Sequence, residues 1–348
     1  MSPPMGLTVR HDDQVGDALA QMQLGGNGIA VVTDDQGRVV GTVSDGDIRR
    51  AALAGMDMAT PVADIVGDEP VVVAPGAPDD EVRRLLERCH LPAAAVVDDG
   101  RLLGLRHLSD VGGEHPSTIA VILAGGRGQR LRPLTDKVPK PFLTVGRTTI
   151  IERLLEQLSS AGITDVYLAV NYKAEVFEQR LGDGQGYGVN LTYLREHKRL
   201  DTAGPLSLLP ERPQGPVLVM NADQVTALNF SRLVDFHHQQ AAAMTVGAFV
   251  HEVAIPYGVL RLDGGSVLGI DEKPTLRHQC NAGIYALEPD VVELVPRNTF
   301  FGMPSLAEAV LLAGNQVAAF PILEKFIDIG TPEELEAALL YFATGEEM

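Results

Sequence analysis

The chain has 348 residues, an apolar content of 45%, a mean hydropathy of +0.07 and a formal net charge of −18. This length predicts about two soluble domains, and the strong negative charge argues against a nucleic-acid partner or an anionic membrane surface. The two cysteines, the lack of an apolar run long enough to span a bilayer and the lack of a signal peptide pattern predict a cytoplasmic protein.

The N-terminal third contains an internal repeat. Each copy consists of a strand, an Asp-rich turn, a second strand that opens on glycine, and an Asp that is predicted to lead into a helix. The copies occupy residues 29–53 and 93–111, and an amphipathic segment precedes each of them. Because units this short rarely bury enough surface alone, we expect their apolar faces to pack against each other.

Residues 41–50, GTVSDGDIRR, are the most informative part of the first copy. This run resembles the cystathionine-β-synthase-type (CBS) module, which implies that Ser44 and Asp47 hold the phosphate and ribose of a regulatory nucleotide. An N-cap or a first-turn charge of a helix is an equally open interpretation of the Asp. The second copy has His107 where the family has Ser or Thr, so a second ligand site is not predicted. Paired repeats also favour a homodimer or a higher homo-oligomer.

Residues 113–117 hold Gly and Pro without periodicity and are predicted to link a CBS pair over 1–112 to a catalytic domain over 118–348. The catalytic domain shows strands alternating with amphipathic helices. This pattern predicts an α/β fold with a doubly wound, mostly parallel sheet, beside an α+β CBS pair. Strands are predicted over 119–123, 165–170 and 187–193, and from 217 to the carboxylate at 223. Further strands are predicted to begin at 257, to end at 272–274 and to begin at 281, with a helix over 149–158.

A glycine loop, Gly125-Gly126-Arg127-Gly128, follows the first of these strands. Glycines let backbone N–H groups approach a polyphosphate closely, and several cations follow the loop. The kinase-type P-loop is excluded because no Lys follows Gly128, and the dinucleotide fingerprint is excluded because its third Gly is missing. The loop is therefore predicted to hold a triphosphate in another arrangement.

The same stretch matches Gly-Gly-x-Gly-x-Arg-x-x-Pro-Leu-Thr-x-x-x-Pro-Lys-Pro at every fixed position from Gly125 to Pro141. It resembles the signature of the sugar-1-phosphate nucleotidyltransferases, and the likeness extends over nearly all of 118–345. The resemblance implies transfer of a nucleotidyl group from an NTP to a sugar 1-phosphate, giving an NDP-sugar and pyrophosphate. With the CBS pair it favours GTP and surface-glycan biosynthesis. UTP, dTTP and CTP stay open, as does a regulatory paralogue that senses nucleotides without turnover.

Asp223 follows an apolar strand, at a sheet edge where a carboxylate can bind Mg²⁺. The resemblance adds Asp328 as a second metal carboxylate and makes Arg130, Lys140, Asp223 and Asp328 the catalytic residues. The implied nucleotide-binding residues are Leu123, Ala124, Gly125, Gly126, Gly128 and Thr202, and the implied sugar-phosphate-binding residues are Gly258, Glu272, Lys273 and Asn281.

Three points in the second domain stay open. Asp201 and Ala222 stand where the family usually has Gly. An acidic Asp201 can accept hydrogen bonds from a guanine edge or simply face solvent. Glu272 and Lys273 can equally be an ordinary exposed ion pair, which contributes little to stability.

Overall fold

The computed structural model describes residues 7–67, 70–112 and 117–343. Residues 113–116 of the predicted linker lie outside the described residues. The helices are α1 (Val15–Gly25), α2 (Asp45–Leu53), α3 (Asp79–Cys89), α4 (Ile150–Ser160), α5 (Ala174–Leu181), α6 (Phe230–Gln240), α7 (Pro289–Val292), α8 (Met303–Leu312) and α9 (Pro332–Ala343).

The strands of the N-terminal unit are β1 (Thr8–Arg10), β2 (Ile29–Thr33), β3 (Val39–Ser44), β4 (Val72–Val73), β5 (Ala93–Asp98) and β6 (Arg101–His107). The strands of the second domain are β7 (Ile119–Leu123), β8 (Thr144–Val145), β9 (Thr148–Thr149), β10 (Asp165–Val170), β11 (Asn190–Arg195), β12 (Val217–Asn221), β13 (Gln224–Thr226), β14 (Met244–Ala254), β15 (Val259–Asp263), β16 (Ser266–Asp271), β17 (Thr275–Leu287), β18 (Val317–Pro321) and β19 (Phe326–Asp328).

The N-terminal repeat forms two three-stranded sheets, β1-β2-β3 and β4-β5-β6, each with one parallel and one antiparallel pair. The apolar faces of the copies meet, since Val31 of the first shares a buried cluster with Ala95 and Leu102 of the second. The predicted packing of the repeats is therefore confirmed. The predicted helix after Asp110 is wrong, because residues 109–111 form only one turn of 3₁₀ helix.

The second domain is built on a seven-stranded sheet with the order β11-β10-β7-β12-β17-β14-β18. Four neighbouring pairs are parallel, and β17 is antiparallel to both of its neighbours. Successive side chains of β7 enter different cores: Ile122 packs with α4 and α5, whereas Val121 packs with α8. Helices on both faces explain the continuous apolar character of the strand and confirm the doubly wound, mostly parallel α/β fold.

Three predicted strand starts are wrong, and the smallest difference is at residue 257, where β15 begins only at Val259. The third strand begins at Asn190, because Tyr187 lies in a 3₁₀ turn that ends at Gly188 in the left-handed conformation. The strand predicted from Asn281 begins at Thr275, because β17 already pairs with the end of β14 before it enters the main sheet. This ribbon and the β15–β16 hairpin form an arm over residues 249–281.

The run Thr-Pro-Glu-Glu at 331–334 predicts a helix with a Thr cap and Pro at its first position, and the C-terminal helix α9 begins there. Thr331 caps it through a 3.3 Å hydrogen bond that its Oγ1 accepts from the Glu334 N–H, and Pro332 occupies the first helical position. Just before it, β19 forms a short antiparallel ladder with β13. Across the described part of the chain, no helix combines the length and the apolar character needed to cross a membrane.

Candidate active site

The glycine loop lies at the carboxyl end of β7, in the middle of the parallel half of the sheet. Gly128 has a φ of 58°, and a Cβ there would lie 3.0 Å from Thr135 Cγ2 and 3.2 Å from Lys140 Cβ. The Thr135 hydroxyl donates a 2.7 Å hydrogen bond to the Gly128 carbonyl. Both the backbone conformation and the lack of space therefore require glycine, and they explain why Thr and Lys accompany it in the pattern.

A cleft of about 1060 Å³ opens above this loop, which is enough space for a nucleoside triphosphate. It is lined by all six predicted nucleotide-binding residues and by three of the four predicted catalytic residues. These are Leu123, Ala124, Gly125, Gly126, Gly128, Thr202, Arg130, Lys140 and Asp223. The fold thus gathers side chains that are about a hundred residues apart in the sequence.

Lys140 and Asp223 form an ion pair among the residues that line the cleft. Lys140 Nζ lies 2.6 Å from Asp223 Oδ2, and the lysine is only 8% exposed. The other carboxylate oxygen, Oδ1, is buried without a hydrogen-bond partner. An unpartnered anionic oxygen beside a cleft is a ligand that suits a hard divalent cation.

Asp328 is brought beside this pair by the β13–β19 ladder, in which it is opposite Gln224. The Ile329 N–H also donates a 3.0 Å hydrogen bond to the Asp223 carbonyl. Burial raises the pKa of the Asp328 carboxyl, and the negative charge of Asp223 raises it further. The closeness of these two carboxylates and the unpartnered Oδ1 of Asp223 fit a Mg²⁺ site.

Arg130 lies on the same side of the cleft. A Cβ on Gly330 would be 3.1 Å from a terminal nitrogen of Arg130. The positive charge of Arg130 opposes the rise in the pKa of the Asp328 carboxyl. Lys137, by comparison, is exposed and is not among the residues that line the cleft. Lys140 therefore lines the cleft, whereas Lys137 does not.

Glu196 is a cleft residue that the sequence analysis missed. Its Oε1 lies 2.7 Å from the position of a Cβ on Gly125, and its Oε2 accepts a 3.1 Å hydrogen bond from the Leu200 N–H. Burial raises the pKa of this carboxyl. A signal existed, because Glu196 directly follows β11 at the same edge of the sheet where Asp223 follows β12.

Of the two departures from the family pattern, Asp201 has a conformational explanation. Asp201 has a φ of 65°, so it adopts the left-handed conformation that suits glycine and that Asp tolerates better than most residues. Ala222 is buried and its N–H donates to the Leu123 carbonyl at 3.1 Å. The hydroxyl of Thr202 accepts a 2.8 Å hydrogen bond from the Met303 N–H at the start of α8. A contact between Asp201 and a base stays a prediction.

The predicted sugar-phosphate residues lie on the arm and do not line the cleft. Gly258 and Glu272 are close together, since a Cβ on the glycine would be 3.0 Å from the Glu272 carboxylate. Lys273 is exposed with a φ of 46°. Both ends of the Asn281 amide are used within β17, by Tyr285 Oη and the Gly283 N–H, each at 2.8 Å. Their role in sugar binding stays a prediction.

Ser44 and Asp47 form a capping box at the start of α2. Ser44 Oγ accepts from the Asp47 N–H at 3.2 Å, and Asp47 Oδ2 accepts from the Ser44 N–H at 2.8 Å. Ser44 is therefore the N-cap, and Asp47 is a first-turn charge, as one of the two helix-start interpretations predicts. The second interpretation, a nucleotide ligand at these residues, stays a prediction.

The chain belongs to the nucleotidyl transferase family, whose sequence profile matches residues 119–344, and the CBS domain profile matches residues 1–54. Among curated relatives, the mannose-1-phosphate guanyltransferase of Candida albicans is 36% identical over 235 residues and that of Saccharomyces cerevisiae is 35% identical over 235 residues. Each alignment covers 64% of this chain and 64% of the relative, so the chain spans less than two thirds of the length of the curated relatives it matches.

Two crystal structures share the fold. One is a Bacillus anthracis protein provisionally named a glucose-1-phosphate thymidylyltransferase, with 25% identity, a TM-score of 0.53, and coverage of 66% of this chain and 96% of that protein. The other is HddC from Yersinia pseudotuberculosis, with 26% identity, a TM-score of 0.50, and coverage of 64% and 98%.

Proposed function

We propose that this chain transfers a nucleotidyl group from an NTP, with GTP favoured, to a sugar 1-phosphate, giving an NDP-sugar and pyrophosphate. The observation that carries the proposal is the cleft in which the glycine loop, the Lys140–Asp223 ion pair and the strand of Asp328 converge. Family membership and the guanyltransferase names of the fungal relatives support the same activity.

The reaction is an in-line displacement at the α-phosphorus of the NTP. An oxygen of the sugar phosphate forms the new bond, the bond from the α-phosphorus to the bridging oxygen breaks, and pyrophosphate leaves with that oxygen. The amides of Gly126 and Gly128 and the guanidinium of Arg130 bind the β- and γ-phosphates. Lys140 neutralises charge at the α-phosphate. Positioning and charge stabilisation then account for most of the rate enhancement.

Asp223 and Asp328 would hold Mg²⁺, which, when bound, stabilises negative charge on the reacting phosphates. The unpartnered Oδ1 of Asp223 and the crowding of two carboxylates support this assignment. Lys140 Nζ pairs with Asp223 Oδ2 at 2.6 Å and so orients the carboxylate.

Glu196 is proposed to contact the base. It lies beside Gly125, whereas the side chain of Lys140 lies beside Gly128 at the other end of the glycine loop. Guanine presents two neighbouring N–H donors, which match the two oxygens of one carboxylate. Loss of one charge-assisted hydrogen bond costs about 1.5–3 kcal/mol, or roughly a 10- to 150-fold loss of GTP use.

An activity panel tests the proposal. GTP, UTP, dTTP and CTP are each combined with mannose, glucose and amino-sugar 1-phosphates in the presence of Mg²⁺, and release of pyrophosphate is measured. We expect turnover with GTP to exceed turnover with the other nucleotides, and Glu196→Gln to reduce this preference. Failure of every combination would contradict the proposed activity and favour a nucleotide sensor without turnover.

Three further expectations belong to this proposal: a role in surface-glycan biosynthesis, a cytoplasmic location and a homo-oligomeric state. Light scattering coupled to gel filtration measures the last of these directly. A monomer across the working concentration range would contradict it.

A further inference from the structure

Arg49 is a fully buried charge at the contact between the N-terminal unit and the catalytic domain. It lies on α2, which packs against α6 and β18. A guanidinium is almost never fully buried unless it is paired. The partners of Arg49 therefore indicate which parts of the two domains are held together.

One partner is on its own helix and the others are on the catalytic domain. Asp45 receives two bonds, from Nε at 2.6 Å and from one terminal nitrogen at 3.0 Å. Glu324 receives two bonds, at 2.6 and 3.2 Å, and the Pro321 carbonyl receives one at 2.6 Å. The guanidinium also lies 4.0 Å from the centre of the Phe320 ring. Arg49 thus holds the segment 320–324 at three points.

This segment leads directly to a predicted metal ligand. It connects β18, at the edge of the main sheet, to β19, and Asp328 is the last residue of β19. The β13–β19 ladder has only three residue pairs, and a two-stranded ladder this short contributes little stability by itself. Ile327 and Ile329 are buried in a small apolar cluster, and this burial determines which face of β19 packs against the core. The Arg49 contacts, together with a 2.7 Å hydrogen bond from the Ile322 N–H to the Ala248 carbonyl, hold the segment before β19.

We propose that Arg49 is a positioning residue for nucleotidyl transfer: it holds residues 320–324 so that β19 keeps Asp328 beside Asp223. The first CBS unit is then part of the support of the active site. This inference rests on the proposed function, in which Asp328 is a metal ligand.

The test compares two buried arginines at the same domain contact in the full chain. Arg49→Met removes the contacts to 320–324. Arg232→Met is the matched control, because Arg232 on α6 is also nearly buried but donates to the Gly26 carbonyl, at 2.5 Å, on the N-terminal unit. Arg49→Lys retains the charge without the planar fork that binds two carboxylates.

The first measurement is amide hydrogen exchange over residues 326–330, without substrates. We expect Arg49→Met to speed exchange there by about tenfold or more, Arg49→Lys to have an intermediate effect, and Arg232→Met to leave it within about twofold of the parent. The second measurement is turnover against Mg²⁺ concentration. Arg49→Met should lower kcat by on the order of 10- to 100-fold and raise the Mg²⁺ requirement, with little change in KM for the nucleotide.

Unchanged exchange and Mg²⁺ dependence in Arg49→Met would overturn the inference, as would equal changes in Arg232→Met. If Arg49→Met does not fold, Glu324→Gln replaces it, because it weakens the contact between Arg49 and the segment before β19 and leaves the Arg49–Asp45 pair intact. Native exchange in Glu324→Gln would then overturn the inference. The exchange measurement does not depend on turnover, so an inactive parent protein would contradict the proposed function separately.

Discussion

Replacing Asp223 with asparagine tests the centre of the proposed site, because the change removes one charge and almost preserves the shape of the side chain. One carboxylate oxygen pairs with Lys140 at 2.6 Å, and the other is buried without a hydrogen-bond partner. Asparagine offers one neutral oxygen in place of two anionic ones, so a carboxylate ligand is lost. Loss of one preorganised charge contact costs about 2.7–4 kcal/mol in the transition state, which is roughly a 10²- to 10³-fold fall in kcat.

The free energy of unfolding should change little, because two effects of this substitution oppose each other. The buried ammonium of Lys140 loses its closest partner, which destabilises the fold. Asp328, however, loses a negative neighbour that raises the pKa of its carboxyl and disfavours its charged form. We therefore expect the melting temperature to stay within about 4 °C of the parent, which corresponds to ~1 kcal/mol.

The assay is pyrophosphate release at saturating Mg²⁺ and substrates, with thermal unfolding recorded by circular dichroism. Asp290→Asn is the matched control, because the side chain of Asp290 is 85% exposed and pairs with Arg212 at the surface. The control should retain parental turnover. If Asp223→Asn keeps kcat within a few fold of the parent, the metal assignment is refuted, and if its melting temperature falls by clearly more than about 4 °C, the stability argument is refuted.

Three further predictions concern the loop, the base contact and the N-terminal unit. Lys140→Ala should lower kcat far more than Lys137→Ala, because only the former removes a cation of the cleft; equal losses in kinetic assays would contradict the assignment of the loop. Burial raises the pKa of Glu196, so the stability this group contributes is present below the unfolded value of about 4.3 and lost as pH rises through the folded value. Glu196→Gln should therefore melt at a higher temperature than the parent at pH 7, and melting curves in which this difference persists below about pH 4 would count against the argument. Equilibrium dialysis should find two nucleotide sites per parent chain and one after Asp47→Ala; a single site in the parent would make the CBS pair structural.

Local features were predictable from the sequence because their hydrogen bonds join residues that are close in the chain. The apolar run 119–123, the cap at Thr331 and the Asp47 side chain at the start of α2 all appear as predicted. The glycine at 128 and the threonine at 135 also belong to one local unit, since they are joined by a hydrogen bond over seven residues. A short sequence pattern of this kind is therefore sufficient to predict the local backbone conformation.

Strand pairing was less predictable, because it depends on a partner elsewhere in the chain. The extension of β17 back to Thr275 follows from its pairing with β14, which no pattern around Asn281 reveals. Likewise, Asp110 has the same position in the second repeat as Asp47 has in the first, yet only the first leads into an α-helix. The α2 helix packs against the catalytic domain, and this contact supports the additional turns.

The sequence by itself determined the class of chemistry, because a glycine loop with its fixed cations and a carboxylate after a buried strand is a local arrangement that suits a polyphosphate and a metal. Only the tertiary structure decided which side chains meet. Lys140 and Asp223 are 83 residues apart, and Arg49 and Glu324 are 275 residues apart. Glu196 enters the cleft because β11 ends at the same edge of the sheet as β7 and β12. Contacts over such separations depend on how strands order in a sheet and how domains pack, and no local pattern records either.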